Sequence, residues 1–296
     1  MKNKKIILIL LSACVMMCLF AGCEDSNVGV TRESDQPTSS SEQPNGEQTS
    51  SPEHPKGEQT PSPEKPKEDI SVGDLYEIGG YTWQVLDVKD DKALLITRDV
   101  IDARAFDGRG RGNSWEACSL RAWLNNEFYF GFSAQEQNRI AETNVVNNSN
   151  PWFGTNGGPD TVDKVFLLSI EEVVMYFGDS GALTNWNGED DSIRDEYGEN
   201  RKATLNMTED QQMDAAKRSA ESPLSVTADG RKLTLDEQLA HFQSRNGGVY
   251  WWWLRSPGGG SNFASYVHGG AAGVCVGGDL AGYETYGVRP AMWIIL

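Results

Sequence analysis

Five cysteines and three histidines carry most of the nucleophilic and basic side-chain chemistry open to this 296-residue chain. They do not form a catalytic or metal set. There is no Cys-x-x-Cys and no histidine ligand spacing, so zinc is not expected. No Ser-His-Asp order, Gly-x-Ser-x-Gly elbow or phosphate-binding loop occurs. The acid pairs Glu171-Glu172 and Asp190-Asp191 read as a helix N-terminus and a solvated loop. Asn185–Asp195 holds enough oxygens for calcium, but its spacing is not that of an EF-hand and a solvated acidic loop is the plainer account. The expectation is a protein with no cofactor, no metal and no catalytic residues. One thiol stands apart by position, that of Cys23.

Cys23 ends a leader with Lys2, Lys4 and Lys5, an apolar run from Ile6 to Phe20, and then Ala21-Gly22. A basic start, a short apolar stretch and small residues at the end describe a secretory signal peptide over residues 1–22, too short for a good transmembrane helix. Leu19-Phe20-Ala21-Gly22-Cys23 resembles the bacterial lipobox, which implies that Cys23 is acylated and becomes the first mature residue. Residues 24–70 have almost no large apolar side chains, so they cannot bury enough surface to offset ordering entropy. They contain an imperfect repeat of period eleven, Pro44–His54 followed by Pro55–Lys65. Such a segment reads as a disordered tether, spanning roughly 40 Å as a coil and at most about 145 Å as polyproline II. Localisation on the extracellular face of a bacterial membrane, held by lipid, follows as an expectation.

Residues 71–296 read as one domain of ordinary size. The leader carries +3 and the tether −7, so the domain holds −13 of the net −17. Without clusters of Lys and Arg it is a poor nucleic-acid binder. Cys118 and Cys275 could pair or stand as separate thiols. Tyr81–Leu86 alternates, Lys89–Lys92 is turn-like and Ala93–Ile96 follows, which predicts a β-hairpin. Ser119 is placed to cap a helix carrying Leu120, Trp123, Leu124 and Phe128. Ser133 with Glu136 predicts a capping box. A strand Val165–Leu168 is expected to lead into a second box, Ser169 with Glu172, and a helix stopped by Gly178. Asp179–Asn246 reads as a long irregular excursion with one or two peripheral helices. Apolar sequence resumes at Tyr250–Leu254 and closes at Ala291–Leu296, giving an α+β pattern.

Five ordered motifs span nearly all of the domain: Trp83-Gln84-Val85-Leu86-Asp87; Trp115-Glu116-x-Cys118-x-Leu120-Arg121-x-Trp123-Leu124-Asn125; Lys164-Val165-Phe166-Leu167-Leu168-Ser169-x-Glu171-Glu172; Trp253-Leu254-Arg255-Ser256-Pro257; and Gly287-Val288-Arg289-Pro290-Ala291. Together they resemble an uncharacterised bacterial lipoprotein domain family, which itself looks like a relative of the formylglycine-generating-enzyme branch of the C-type-lectin-like fold. The resemblance implies a single lectin-like domain with irregular loops, paired first and last strands, and a surface-exposed loop region between the last two motifs. Formylglycine-generating enzymes bind copper with two cysteines near their C-terminus. Here that stretch holds Cys275 alone, so an enzyme or degenerate enzyme relative is the alternative reading. A structural cell-wall spacer is the third.

The segment 258–287 holds ten glycines and two charged residues, Asp279 and Glu284, with no period of 2 or 3.6. It reads either as a glycine-rich loop packed on the core or as a binding region. It also resembles the variable regions of proteins diversified by retroelements. An AAC codon with randomised adenines never encodes Glu, Lys, Gln, Trp or Met. Among the 28 residues from Gly259 to Tyr286 only Glu284 belongs to that set, against 37 of 188 in residues 71–258. Tyr, Ser, Gly and His suit recognition, because rings give contact area at low entropic cost and small residues adapt. The expected ligand-binding residues are Ser261, Asn262, Phe263, Tyr266, His268, Cys275, Asp279, Tyr283 and Tyr286, all pointing outward toward an external protein or glycan. Leu254, Arg255, Val288, Arg289 and Trp293 are expected to hold the scaffold, with both guanidinium forks on buried carbonyls or carboxylates. Trp251 and Trp252 are placed as a floor or anchor, or as the core and surface faces of one strand.

Overall fold

The computed structural model describes residues 70–109, 112, 114–270 and 273–296. The expected signal peptide, the lipidated Cys23 and all of the tether but Ile70 lie outside the described residues. Period-two alternation builds a meander of β1 (Leu75–Ile78), β2 (Tyr81–Lys89) and β3 (Lys92–Thr97). Its second turn places Asp90 at a φ of 57°, a left-handed conformation that aspartate tolerates. The sheet is completed by β12 (Ala291–Ile295), in the order β1-β2-β3-β12. The closing strand therefore pairs with β3, from Ala291↔Ile96 to Ile295↔Lys92, and not with the first strand as expected.

After β4 (Asp102–Ala103) comes α1 (Ser119–Trp123), which continues as a π turn over Leu124–Phe128. Its cap is Cys118, not Ser119: the Sγ accepts from the Arg121 amide, while Ser119 Oγ accepts from Gly108 N at 2.9 Å. Then follow α2 (Ala134–Arg139), β5 (Thr143–Val145), β6 (Thr161–Asp163) and α3 (Ile170–Phe177). Both expected capping boxes are present, at α2 and at α3. The expected strand Val165–Leu168 is reduced to one bridge, Phe166 to Ala291. The excursion holds β7 (Ser192–Ile193) and three helices, α4 (Gly198–Arg201), α5 (Glu209–Glu221) and α6 (Leu235–Arg245). It is not merely peripheral, since Ala215, Ala216 and Phe242 are fully buried.

The second sheet is assembled from β8 (Trp252–Pro257), β9 (Phe263–Val267), β10 (Val274–Leu280) and β11 (Gly287–Val288) with β4 and β7. Its order is β4-β11-β8-β9-β10-β7, antiparallel except for the β8–β11 pair. The segment expected to be a surface loop thus contributes two interior strands, β9 and β10, with turns between and after them. The result is a mixed α+β single domain, and no helix among the described residues is long and apolar enough to cross a membrane.

The motif residues lock these pieces together. Trp83 Nε1 donates to Ile78 O, and Trp115 Nε1 to Asp163 Oδ2. The Asn125 amide clamps the backbone at 164–165: its Oδ1 accepts from Lys164 N at 2.7 Å and its Nδ2 donates to Val165 O at 2.8 Å. Arg255 donates from Nη1 to Leu167 O at 2.8 Å and from Nη2 to Glu172 Oε1 at 2.8 Å, with a second ion-pair contact from Nη1 to Glu172. Arg289 donates from Nε to Thr97 O at 2.8 Å. Leu254 and Val288 are fully buried, and Trp293 is half-buried on β12.

Candidate functional site

Strand alternation sorts the segment 250–287 into two faces. Trp252, Val267, Val274 and Ile193 are cross-strand neighbours and all buried. The opposite row runs Trp253↔Tyr266↔Cys275↔Ser192 across β8, β9, β10 and β7. Trp252 therefore belongs to the core and is not the anchor of the segment. Trp251 and Trp253 are the tryptophans of the outer face.

On that face Tyr286 lies at the centre. Its ring stacks on Trp253 with centroids 4.2 Å apart and meets Tyr266 edge-on at 4.9 Å. Trp251 and Tyr283 approach it at 5.7 and 6.2 Å. Its hydroxyl donates to Asp279 Oδ2 at 2.6 Å. His268 packs on Trp251 at 5.7 Å, and Arg245 lies over the same indole at 5.6 Å. Trp253 Nε1 is satisfied by Arg104 O at 2.9 Å.

Burial separates floor from surface. Tyr286 is 6% exposed and Cys275 9%, so neither points outward as expected. Tyr286 is held down by its four aromatic neighbours, and Cys275 is covered by its cross-strand partners, with Ser192 Oγ donating to its sulfur at 3.2 Å. Trp251, Phe263, Tyr266, His268, Asp279 and Tyr283 are half-exposed, and Ser261 and Asn262 are exposed in the β8–β9 turn. Burial is the main cause that raises the phenol pKa of Tyr266, Tyr283 and Tyr286 and the thiol pKa of Cys275. The face thus offers neutral phenols and the Asp279 carboxyl group, and its thiol is a poor nucleophile at neutral pH.

Glycines here serve geometry. A Cβ at Gly258 would sit 2.6 Å from Gly277 O and 2.8 Å from the Phe263 Cβ. Gly278, at a φ of +74°, forms the irregularity that shifts the β9–β10 register between Cys275 and Asp279. Glu284, the one residue outside the adenine-randomised set, accepts from Ala105 N at 3.0 Å and ties the segment to the scaffold.

Cys118 and Cys275 are free, separate, buried thiols. Burial pushes the Cys118 pKa to about 12. No group of three or more His, Cys, Asp or Glu among the described residues is placed to hold a metal ion. The sequence reading missed Arg245, Ser192 and a second aromatic group near Gly259 and Gly277. There Trp152 stacks on Trp186 at 5.2 Å and Phe153, 41% exposed, meets Trp186 edge-on. These residues lie far apart in sequence, and only the unusual density of tryptophan hinted at them.

A scaffold locked by the five motifs, carrying a half-exposed aromatic face, is the arrangement to set beside known proteins. Residues 90–296 match the model of a family described as a domain of unknown function, DUF6273, and the chain belongs to that family. No curated protein and no solved structure matches it.

Proposed function

We propose that this chain is a surface lipoprotein, anchored through Cys23, whose lectin-like domain binds an external protein or glycan. The observation that carries the reading is the half-exposed set Trp251, Tyr266, His268 and Tyr283 lying over a buried floor of Trp253 and Tyr286, with Asp279 beside it. Aromatic faces with one polar handle suit recognition, because they present large contact area with little rotamer entropy to lose. Retroelement diversification remains part of the proposal for the exposed positions only. Core positions such as Ala264, Val267, Val274 and Val276 are fully buried and do not tolerate free replacement. The tie made by Glu284 supports it, since a scaffold contact is where a fixed residue is needed.

Thiol chemistry of the formylglycine-generating type is less well supported, because Cys275 is buried and its pKa raised while Cys118 Sγ caps α1. The test is to probe the full-length chain on a glycan microarray and against a displayed random-peptide library. Trp251→Ala or Tyr266→Ala should weaken whatever binding is found about tenfold, the loss of about 1.4 kcal/mol from one ring contact. Unchanged binding by the Trp251/Tyr266/His268/Tyr283 quadruple alanine variant would remove the aromatic face from the proposal.

A further inference from the structure

On the core side of the second sheet, away from the aromatic face, Arg289 is only 2% exposed. Its guanidinium lies 5.0 Å from the Trp252 ring centroid and 5.3 Å from that of Phe177. Nε is satisfied by Thr97 O, but Nη1 has no hydrogen-bond partner. Arg201, equally buried, differs in its charge partner: Asp195 grips its Nη1 and Nη2 at 2.6 and 3.0 Å, although its Nε also lacks an acceptor. Among the described residues no carboxylate forms such a pair with Arg289. A desolvated guanidinium with open N–H bonds is a costly arrangement unless an acceptor completes it.

Arg289 lines a cavity of about 280 Å³ together with Gln84, Arg98, Asp99, Lys202 and Thr204. Three cations and one carboxylate meet there, in a domain whose net charge is −13. The carboxylate is already engaged, since Asp99 accepts from Thr204 Oγ1 at 2.5 Å and from Asn206 Nδ2 at 3.3 Å. Lys202 holds exposed Glu199 at 2.6 Å, a surface pair weak enough to be exchanged. Burial lowers the Arg289 pKa to about 10, with Asp99 opposing the shift, so the fork stays charged at neutral pH.

We propose that this cavity is an oxyanion site, in which the open side of the Arg289 fork binds a phosphate- or carboxylate-class group and Arg98 and Lys202 close around its charge. A planar fork with fixed donors matches either group bidentately, which a lysine would not. The site is separate from the aromatic face and stands whether or not that face binds a ligand.

The experiment is a thermal melt of the full-length chain titrated with inorganic phosphate in one arm and acetate in the other, each against sodium chloride at matched ionic strength. A ligand that binds only the folded state raises the melting temperature saturably. The expected result is such a rise with phosphate, acetate or both, the responding arm identifying a tetrahedral or planar group. The double variant Arg98→Gln/Lys202→Gln, which changes no buried side chain, should melt as wild type without the anion and show at least about tenfold weaker anion binding. Arg289→Lys, keeping the charge but losing the fork, should abolish the response. No shift beyond chloride in either arm, or an undiminished shift in the double variant, overturns the proposal.

Discussion

Tyr286 touches Trp251, Trp253, Tyr266 and Tyr283 and bonds Asp279, so its ring supports every member of the aromatic face except His268, which packs on Trp251 and Tyr266. Tyr286→Ala should cost about 3–5 kcal/mol in urea unfolding, as expected for truncating a buried aromatic. Tyr286→Phe should cost only about 1 kcal/mol, because the half-exposed Asp279 can turn to water. His268→Ala, at the half-exposed rim, should stay within about 1 kcal/mol. Equal losses for His268→Ala and Tyr286→Ala would mean that the floor and rim are not distinct. A second residue reports on pH. Tyr250 gives its one proton to Thr285 O at 2.7 Å, so His241 Nε2, 3.2 Å from that hydroxyl, acts as the donor. Burial, then the charge of Arg245, holds the imidazole pKa below its ordinary value. The unfolded chain therefore takes up a proton below about pH 6.5 that the folded chain refuses, and stability falls as pH drops through that window. The stability advantage of wild type over His241→Gln should shrink between about pH 7.5 and 5.5. A difference that stays flat or grows over that range would show that this imidazole does not titrate as its surroundings dictate.

At the level of elements, Glu172 does two jobs. It closes the capping box of α3 by accepting from Ser169 N at 2.9 Å, and it neutralises the buried Arg255 fork between α3 and β8. Glu172→Ala should therefore cost about 3 kcal/mol, well above the about 1 kcal/mol of Ser169→Ala, because a buried cation is left unpaired. Denaturant midpoints that make the two equal would reduce Glu172 to its capping role. The α3 box was legible because a Ser-x-x-Glu stands directly before a helix with a clear apolar side. Thr208 with Gln211 and Thr234 with Glu237 form boxes just as regular at α5 and α6. The sequence pointed to one or two helices in this excursion but did not place them, because the apolar side of α5 rests on the small Ala215 and Ala216, and that of α6 on Phe242, too little to stand out from a polar stretch. In β9 and β10 the obstacle was different. Register shifts at Trp253/Pro257 and Cys275/Asp279 interrupt the alternation, and Gly278 removes the side chain that would have shown it. The half-exposure of Tyr266 and the burial of Tyr286 depend on ring partners such as Trp251 and Trp253, which sequence patterning alone does not bring together.

For the whole molecule, the proposed anchor makes Cys23 the residue on which attachment turns. Cys23→Ser should release the chain into the medium. A variant still held on washed membranes would sink the lipoprotein proposal. The final strand adds a constraint of timing. β12 docks on β3, with Ala291 opposite Ile96 and Phe166 bridged to the same alanine, so the first sheet waits for residues made 195 positions later and the chain leading into α3 for residues 125 positions later. Contacts of such long range are slow to form and cannot begin before the late segment exists. On the export proposed above, the chain must stay unfolded until it has passed a narrow channel, and a topology that postpones completion suits that route. The nascent protein carries its own delay, written into the distance between two strands.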